Sequence, residues 1–250
     1  TTFCILMLCS LLLLINVGTI KAIERLDWPT QVEPTIDGIW TSPDEWTDGE
    51  ETMIGENVTF RSTWQMVSME PLIVVTNFII EFLTDNTNDT GDYWQMCVDS
   101  AADGGTAPQS GDFKIEVVGH GAVVVYEGDG SGWVAVTPSE GAITFAESIS
   151  ESPTSSTPHW IAEFTFVKTA MVPNMGEYWA FRLAVYDESN SGAGVQAWPP
   201  PSDPDVPDGY GYQNYSSDPI PEALTIGVMV LLSSVSVLVG YHYFLKRKET

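Results

Sequence analysis

The densest chemistry in this chain is a run of oxygens. Asp85-Asn86-Thr87-Asn88-Asp89-Thr90-Gly91-Asp92 sets three carboxylates, two amides and two hydroxyls on one loop. Calcium takes roughly six to eight oxygen ligands, so clustered carboxylates and carbonyls suit it. The Asp-x-Thr-x-Asp spacing is similar to an EF-hand loop, with the glycine one position late and no closing Glu. Asp85, Asp89 and Asp92 are therefore candidate calcium ligands, and Asp99 with Asp103 is a second acidic group. Solvated acidic turns are the plain alternative. Catalytic patterns are missing: there is no G-x-S-x-G, no His-rich metal motif and no nucleophile–base pair. Paired carboxylates of the glycosidase kind are available in so acidic a chain, but a non-catalytic protein is the expectation. Cys4 and Cys9 lie in an N-terminal apolar segment, which leaves Cys97 without an intrachain disulfide partner once that segment is removed. Cys97 reads as a half-buried strand thiol.

The elements that carry these residues read as all β. Alternating, β-branched and aromatic segments are divided by Gly, Asp, Pro and Ser. Strands are predicted over 58–66, 73–83, 93–99, 113–118, 122–126, 133–137, 143–147, 160–167 and 178–186. Glycine-rich turns at Gly119-His120-Gly121 and Gly128-Asp129-Gly130-Ser131-Gly132 suit tight hairpins. Many short strands with regular turns predict an antiparallel β-sandwich of jelly-roll or immunoglobulin-like form. Alternation sends Trp94, Met96 and Val98 to the core, with Trp160, Ala162, Phe164 and Phe166. Glu163 then points away, toward solvent or a site. Trp133 follows a glycine-rich turn and Trp198 opens Pro199-Pro200-Pro201, so both are expected to present rings outside the core.

Both chain ends are apolar. Residues 1–22 resemble a secretory signal peptide, and a second membrane anchor results if it is not cleaved. The run 223–245 has no Asp, Glu, Lys or Arg and is followed by Lys246-Arg247-Lys248. At about 1.5 Å per residue it is long enough for a hydrocarbon core of about 30 Å, and the basic cluster is a cytoplasmic stop signal. The predicted organisation is a signal at 1–22, a domain at 23–209, a spacer at 210–222, a transmembrane helix at 223–245 and a basic tail at 246–250. That places the domain outside the cell on a single-pass anchor. With 34 acidic and 9 basic residues the formal net charge is −25. Such a surface repels nucleic acid and anionic lipid, and no nucleic-acid partner is expected. Sequons at Asn57, Asn88 and Asn214 mark possible glycoprotein sites.

The order of motifs resembles carbohydrate-binding module family 9-like (DOMON-like) domains. Ile36-Asp37-Gly38-Ile39-Trp40 followed by Glu45-Trp46 is similar to their opening signature, and Asp92-Tyr93-Trp94-Gln95-Met96-Cys97-Val98-Asp99 to their central strand. Asp112-Phe113-Lys114-Ile115, the strand from Trp160 to Phe166, and Phe181-Arg182-Leu183-Ala184-Val185-Tyr186-Asp187 with Trp198-Pro199-Pro200 follow in order. The resemblance implies a β-sandwich that binds sugars, often with structural calcium. Some relatives on the same scaffold bind haem. Here no spacing among His120, His159 and Met96 singles out an axial pair, so haem is not expected. Sugar recognition needs exposed rings for the apolar face of a pyranose, with carboxylates and amides for its hydroxyls. Trp133, Trp198, Gln196, Tyr210, Tyr212 and Glu163 are the candidates. The tail, with Pro221-Glu222-Ala223 before the apolar run, is similar to archaeal and bacterial protein-sorting anchors of the Pro-Glu-Phe and Pro-Glu-Pro type. It implies a sorting peptidase as a partner. The leading expectation is a calcium-stabilised surface module that binds envelope glycans or acts in adhesion. The alternatives are a structural envelope component without a small ligand, and a haem-carrying electron-transfer domain.

Overall fold

A computed structural model describes residues 24–69, 72–167 and 178–215. The expected signal segment, the span 223–245, the sorting motif and the basic tail lie outside the described residues. Among the described residues, no helix is long and apolar enough to cross a membrane.

The described chain is almost all strand: β1 (Glu24–Pro29), β2 (Thr52–Ile54), β3 (Val58–Met69), β4 (Leu72–Phe82), β5 (Tyr93–Asp99), β6 (Phe113–Val118), β7 (Val124–Gly128), β8 (Trp133–Val136), β9 (Ile143–Ser150), β10 (His159–Val167), β11 (Tyr178–Tyr186), β12 (Gln196–Trp198) and β13 (Gly211–Tyr215). One sheet runs β8-β7-β6-β5-β11-β13-β1, with β12 beside β11. The other runs β1-β3-β4-β10-β9, with β2 beside β3. Pairing is antiparallel except at β1, which is parallel to β13 through Glu24 to Asp27 and to β3 through Trp28 and Pro29. One strand thus belongs to both sheets.

The core lies between the sheets, where the alternation puts it. Phe60, Phe78, Ile80, Phe82, Trp160, Phe164 and Phe166 of the second sheet meet Trp94, Met96, Val98, Phe181 and Leu183 of the first. Phe78 stacks on Phe164 at 5.0 Å, and Trp94 reaches across to Phe164 at 4.5 Å. Truncating one such buried ring costs about 3–5 kcal/mol. All nine predicted strands form, with shifted ends: the first extends to Met69 and the segment expected at 122–126 sits at Val124–Gly128.

Four strands escape the sequence pattern. β2 and β12 are three residues long, too short to show a period. β1 begins at the first described residue and ends in Pro29, and β13 is the Tyr-rich stretch read as the start of a spacer. The sandwich therefore does not end at 209: β13 bridges β11 and β1. Gly211 opens it because the Trp198 ring lies where a side chain would go, 2.5 Å from an added Cβ.

Candidate functional site

The two outward faces of the sandwich differ, and the second sheet's face is closed. The segment 30–50 lies across it, and Trp40 and Trp46 pack on Ile79 and Ile161. Glu163 holds this cover. Its Oε2 accepts the backbone N–H groups of Asp37 (3.1 Å) and Gly38 (2.8 Å), and its Oε1 accepts the Trp46 indole N–H at 3.0 Å. Glu45 caps the same loop, accepting the N–H groups of Thr35 and Thr41 at 2.7 Å each. Gly38 has φ +82°, and a Cβ there would lie 2.5 Å from the Glu147 backbone. The Asp37-Gly38 and Glu45-Trp46 motifs are thus a latch closed by Glu163. Glu163 is fully buried, which corrects its placement among the ligand contacts. Burial pushes its carboxyl up to about 7, against the pull of the Gly38 and Asp37 N–H groups and with the help of the Glu45 charge.

The same face holds a buried pair. Glu81 accepts from Ser152 and Thr154, and His159 turns Nε2 toward it at 3.2 Å and Nδ1 toward the Thr157 carbonyl at 2.9 Å. Burial opposes both charges, yet the contacts win: Glu81 is lowered and His159 is raised. This clasp ties down the loop 151–158.

The first sheet's outward face is polar, aromatic and partly open. β5 turns Tyr93, Gln95 and Cys97 outward, opposite Tyr186, Ala184 and Arg182 of β11. β6 adds Lys114 and Glu116, and β7 adds Tyr126. Their side chains form a chain of contacts. Arg182 donates through Nη1 to Gln95 Oε1 (3.0 Å), Gln95 Nε2 to Glu116 Oε2 (3.0 Å), and Tyr126 Oη to Glu116 Oε1 (2.8 Å). Lys114 Nζ lies 3.5 Å from Glu116 and 4.1 Å above the Tyr126 ring. The Tyr93 and Tyr186 rings lie near-parallel at 5.9 Å, half-buried at one side of this network. At the other side is a cleft of about 420 Å³ lined by Gly55, Arg182, Gln196, Ala197, Pro200 and Ser202.

Of the residues singled out in the sequence, Gln196 lines this cleft. Trp133 lies at the far end of the face. It is half-buried, and its indole N–H donates to Asp205 at 2.9 Å. Tyr212 is half-buried and Tyr210 buried in a small cluster with Cys97 and Ala180, and Tyr210 donates to the Pro204 carbonyl. Trp198 is a correction: it ends β12 inside the core, against Phe181 at 4.6 Å and Phe60 at 5.8 Å, with no ring face left for a ligand. Cys97 is fully buried instead of half-buried, and burial raises its thiol to about 12. The Tyr93, Gln95, Glu116 and Arg182 group was missed. Alternation had placed Tyr93 and Gln95 opposite the core, but their pairing with β11, across some ninety residues, has no local signal.

Oxygen atoms of Asp85, Asp89 and Asp92 come within 4.8 Å of one another, the one such acidic group among the described residues. Asp85 and Asp92 are fully buried. Asp92 accepts the Glu188 N–H at 2.7 Å and faces His120 Nε2 at 3.2 Å. Asp85 Oδ1 accepts from Thr87, whereas buried Oδ2 has no partner. Burial pushes Asp85 up to about 6, with the charges of Asp92 and Asp187 adding to the effect. Asp99 does not join the group; its oxygens accept the N–H groups of Asp103 and Gly104 and shape their turn. Asn88 is exposed, Asn57 is half-buried, and Asn214 lies within β13 with its amide donating to Glu24.

Two solved structures are similar in fold. Both are a carbohydrate-binding module of family 9 from Caldicellulosiruptor kristjanssonii, one in complex with cellotriose and one with glucose. Each matches with a TM-score of 0.50 and 14% identity, over 78% and 79% of this chain and 96% and 100% of the module. No protein-family model and no curated protein matches the chain. At this identity the likeness is one of fold.

Proposed function

We propose that this protein is a non-catalytic surface module that binds carbohydrate on the outward face of its first sheet. The observation that carries this reading is the Tyr93–Tyr186 pair beside the Gln95, Glu116 and Arg182 network on a face that the described residues leave partly open. Rings take the apolar side of a sugar, and the amide, carboxylate and guanidinium take its hydroxyls. The module of like fold in complex with cellotriose and glucose supports the ligand class. Titration against a glycan array tests it. Tyr186→Ala should weaken binding by roughly 1–3 kcal/mol, by analogy with other stacking on aromatic rings, and should leave the fold intact. Unchanged affinity would remove Tyr186 from the site.

We further propose that Asp85, Asp89 and Asp92 hold a calcium ion. The unpartnered Oδ2 of Asp85 and the raised Asp85 carboxyl support a cation there, since a buried oxygen without a partner is costly. A ligand that binds only the folded state adds RT ln(1 + [L]/Kd), ~2.7 kcal/mol at a hundredfold excess over Kd. Calcium should raise Tm by several degrees, and Asp85→Asn should abolish most of that rise. Identical melting with calcium and with chelator would exclude the site.

The surface reading adds the run 223–245 as a membrane anchor and Lys246-Arg247-Lys248 as its cytoplasmic stop, with envelope glycans as partners in adhesion. A sorting peptidase acting near Pro221-Glu222 belongs to the same proposal, as does glycosylation, for which exposed Asn88 offers the most accessible amide. These parts rest on sequence.

A further inference from the structure

We propose that the glycan bound on the first sheet's face carries an anionic group, a uronate carboxylate or a sulfate ester, and that Arg182 holds it; this rests on the carbohydrate reading above. The chain has 34 acidic residues against 9 basic ones, so a cationic side chain finds a carboxylate easily. Arg61 pairs with Glu51, and Lys114 lies beside Glu116. Arg182 has no such partner: among the described residues, no carboxylate oxygen lies within 4.0 Å of its guanidinium. It is nevertheless only 4% exposed. A buried charge is costly unless an opposite charge or a full set of hydrogen bonds meets it.

The partners it does have are neutral and few. Nε donates to the Ser202 carbonyl at 2.9 Å, and Nη1 to Gln95 Oε1 at 3.0 Å. A guanidinium carries five N–H groups in a fixed fork, and the buried Cys97 thiol accounts for at most part of the remainder. The open side of the residue is the cleft of about 420 Å³, and no Asp or Glu lines it. The nearby Glu116 is itself engaged by Gln95, Tyr126 and Lys114. A strongly acidic protein thus keeps Arg182 against a cleft whose lining carries no acid. A planar carboxylate or a sulfate accepts two parallel N–H bonds from such a fork.

The test measures matched pairs by calorimetry on the full chain in detergent: tetragalacturonate against its methyl ester, and a sulfated galactan tetrasaccharide against its desulfated form. The expected result is that the charged member of one pair binds about tenfold or more tighter than its neutral twin, the scale of a charge-assisted hydrogen bond. The pair that responds identifies the anion. Arg182→Gln should bring the two members level, whereas Arg182→Lys should keep part of the preference. If Arg182→Gln does not fold, the wild-type ratio and the Arg182→Lys ratio decide. Neutral glycans binding as tightly as charged ones would overturn the proposal and leave the carbohydrate reading standing. Failure of every glycan to bind would overturn both.

Discussion

Glu163 and Arg182 occupy comparable places in the two halves of the sandwich. Each is an ionisable residue on the outward side of an interior strand, β10 or β11, and each is buried. Their surroundings differ. Glu163 receives three N–H donors from the segment 37–46, so the chain supplies everything its carboxylate needs. Arg182 receives a carbonyl and an amide oxygen, with a cleft on its open side. Burial alone therefore does not separate a structural charge such as Glu163 from one proposed to bind, such as Arg182. What separates them is whether the molecule itself completes the hydrogen-bonding set.

The comparison breaks most sharply at Glu163. Glu163→Ala leaves the Gly38 N–H and the Trp46 indole without their acceptor, while the Asp37 N–H keeps the Thr35 carbonyl at 3.0 Å. An orphaned buried donor costs roughly 1–3 kcal/mol, so the urea midpoint should drop by the equivalent of about 3 kcal/mol or more. Glycan affinity should persist under conditions where the variant is folded, because the first sheet's face is untouched. A loss of affinity without loss of stability would place Glu163 in the binding site after all.

Acid and base probe the same difference more gently. Glu163 sits at about 7, against 4.5 for a free carboxyl, and Asp85 and Asp112 at about 6, against 3.8. A carboxyl that holds its proton more tightly when folded contributes stability that is present below its unfolded pKa and lost as pH rises toward the folded value. His159, raised by Glu81 and Thr157 against its burial, acts in the same direction above 6.5. Glu81, lowered, acts oppositely and loses its contribution as pH falls. The urea midpoint should therefore decline from about pH 4.5 to 7. Glu163→Gln should flatten the upper part of that decline, and saturating calcium should flatten the part due to Asp85. A midpoint that climbs steadily from pH 4.5 to 7 would contradict the assignment.

Sequence pattern reached one side of each strand and stopped there. Alternation located the core at Trp94, Met96, Phe164 and Phe166 because burial repeats every second residue and needs no knowledge of the partner strand. It also put Glu163 outside the core, correctly, but could not show that the segment 30–50 folds back over that face. Trp198 misled for a related reason. A tryptophan before three prolines suggests a surface loop, yet three residues of β12 pairing with β11 are enough to turn it inward. The Asp85 to Asp92 cluster was legible because its three carboxylates lie within one loop. The Arg182 group, contributed by β5, β6, β7 and β11, depends on long-range pairing.

The smallest expected effect concerns Trp133, a candidate ring that remains near the open face, beside the cluster that also holds Tyr212. Its indole N–H reaches Asp205 in the loop after Pro201, and its ring lies 5.9 Å from Lys114 Nζ. It also packs against the cluster of Cys97, Ala180 and Tyr210. These contacts describe a residue that pins the loop down at the far end of the site, away from Tyr93 and Tyr186. Trp133→Phe removes the bond to Asp205 and part of the ring, and a single net hydrogen bond contributes ~1 kcal/mol. Trp133→Ala also loses the half-buried ring and should cost slightly more, still far below the loss at Glu163. Glycan affinity should fall less than in Tyr186→Ala, because the tryptophan acts on the loop and not on the sugar. A larger fall in Trp133→Ala with unchanged stability would move the stacking platform to this end of the face. The division drawn between a closed face and an open one would then hold, with its centre shifted from the tyrosine pair toward Lys114 and Tyr126.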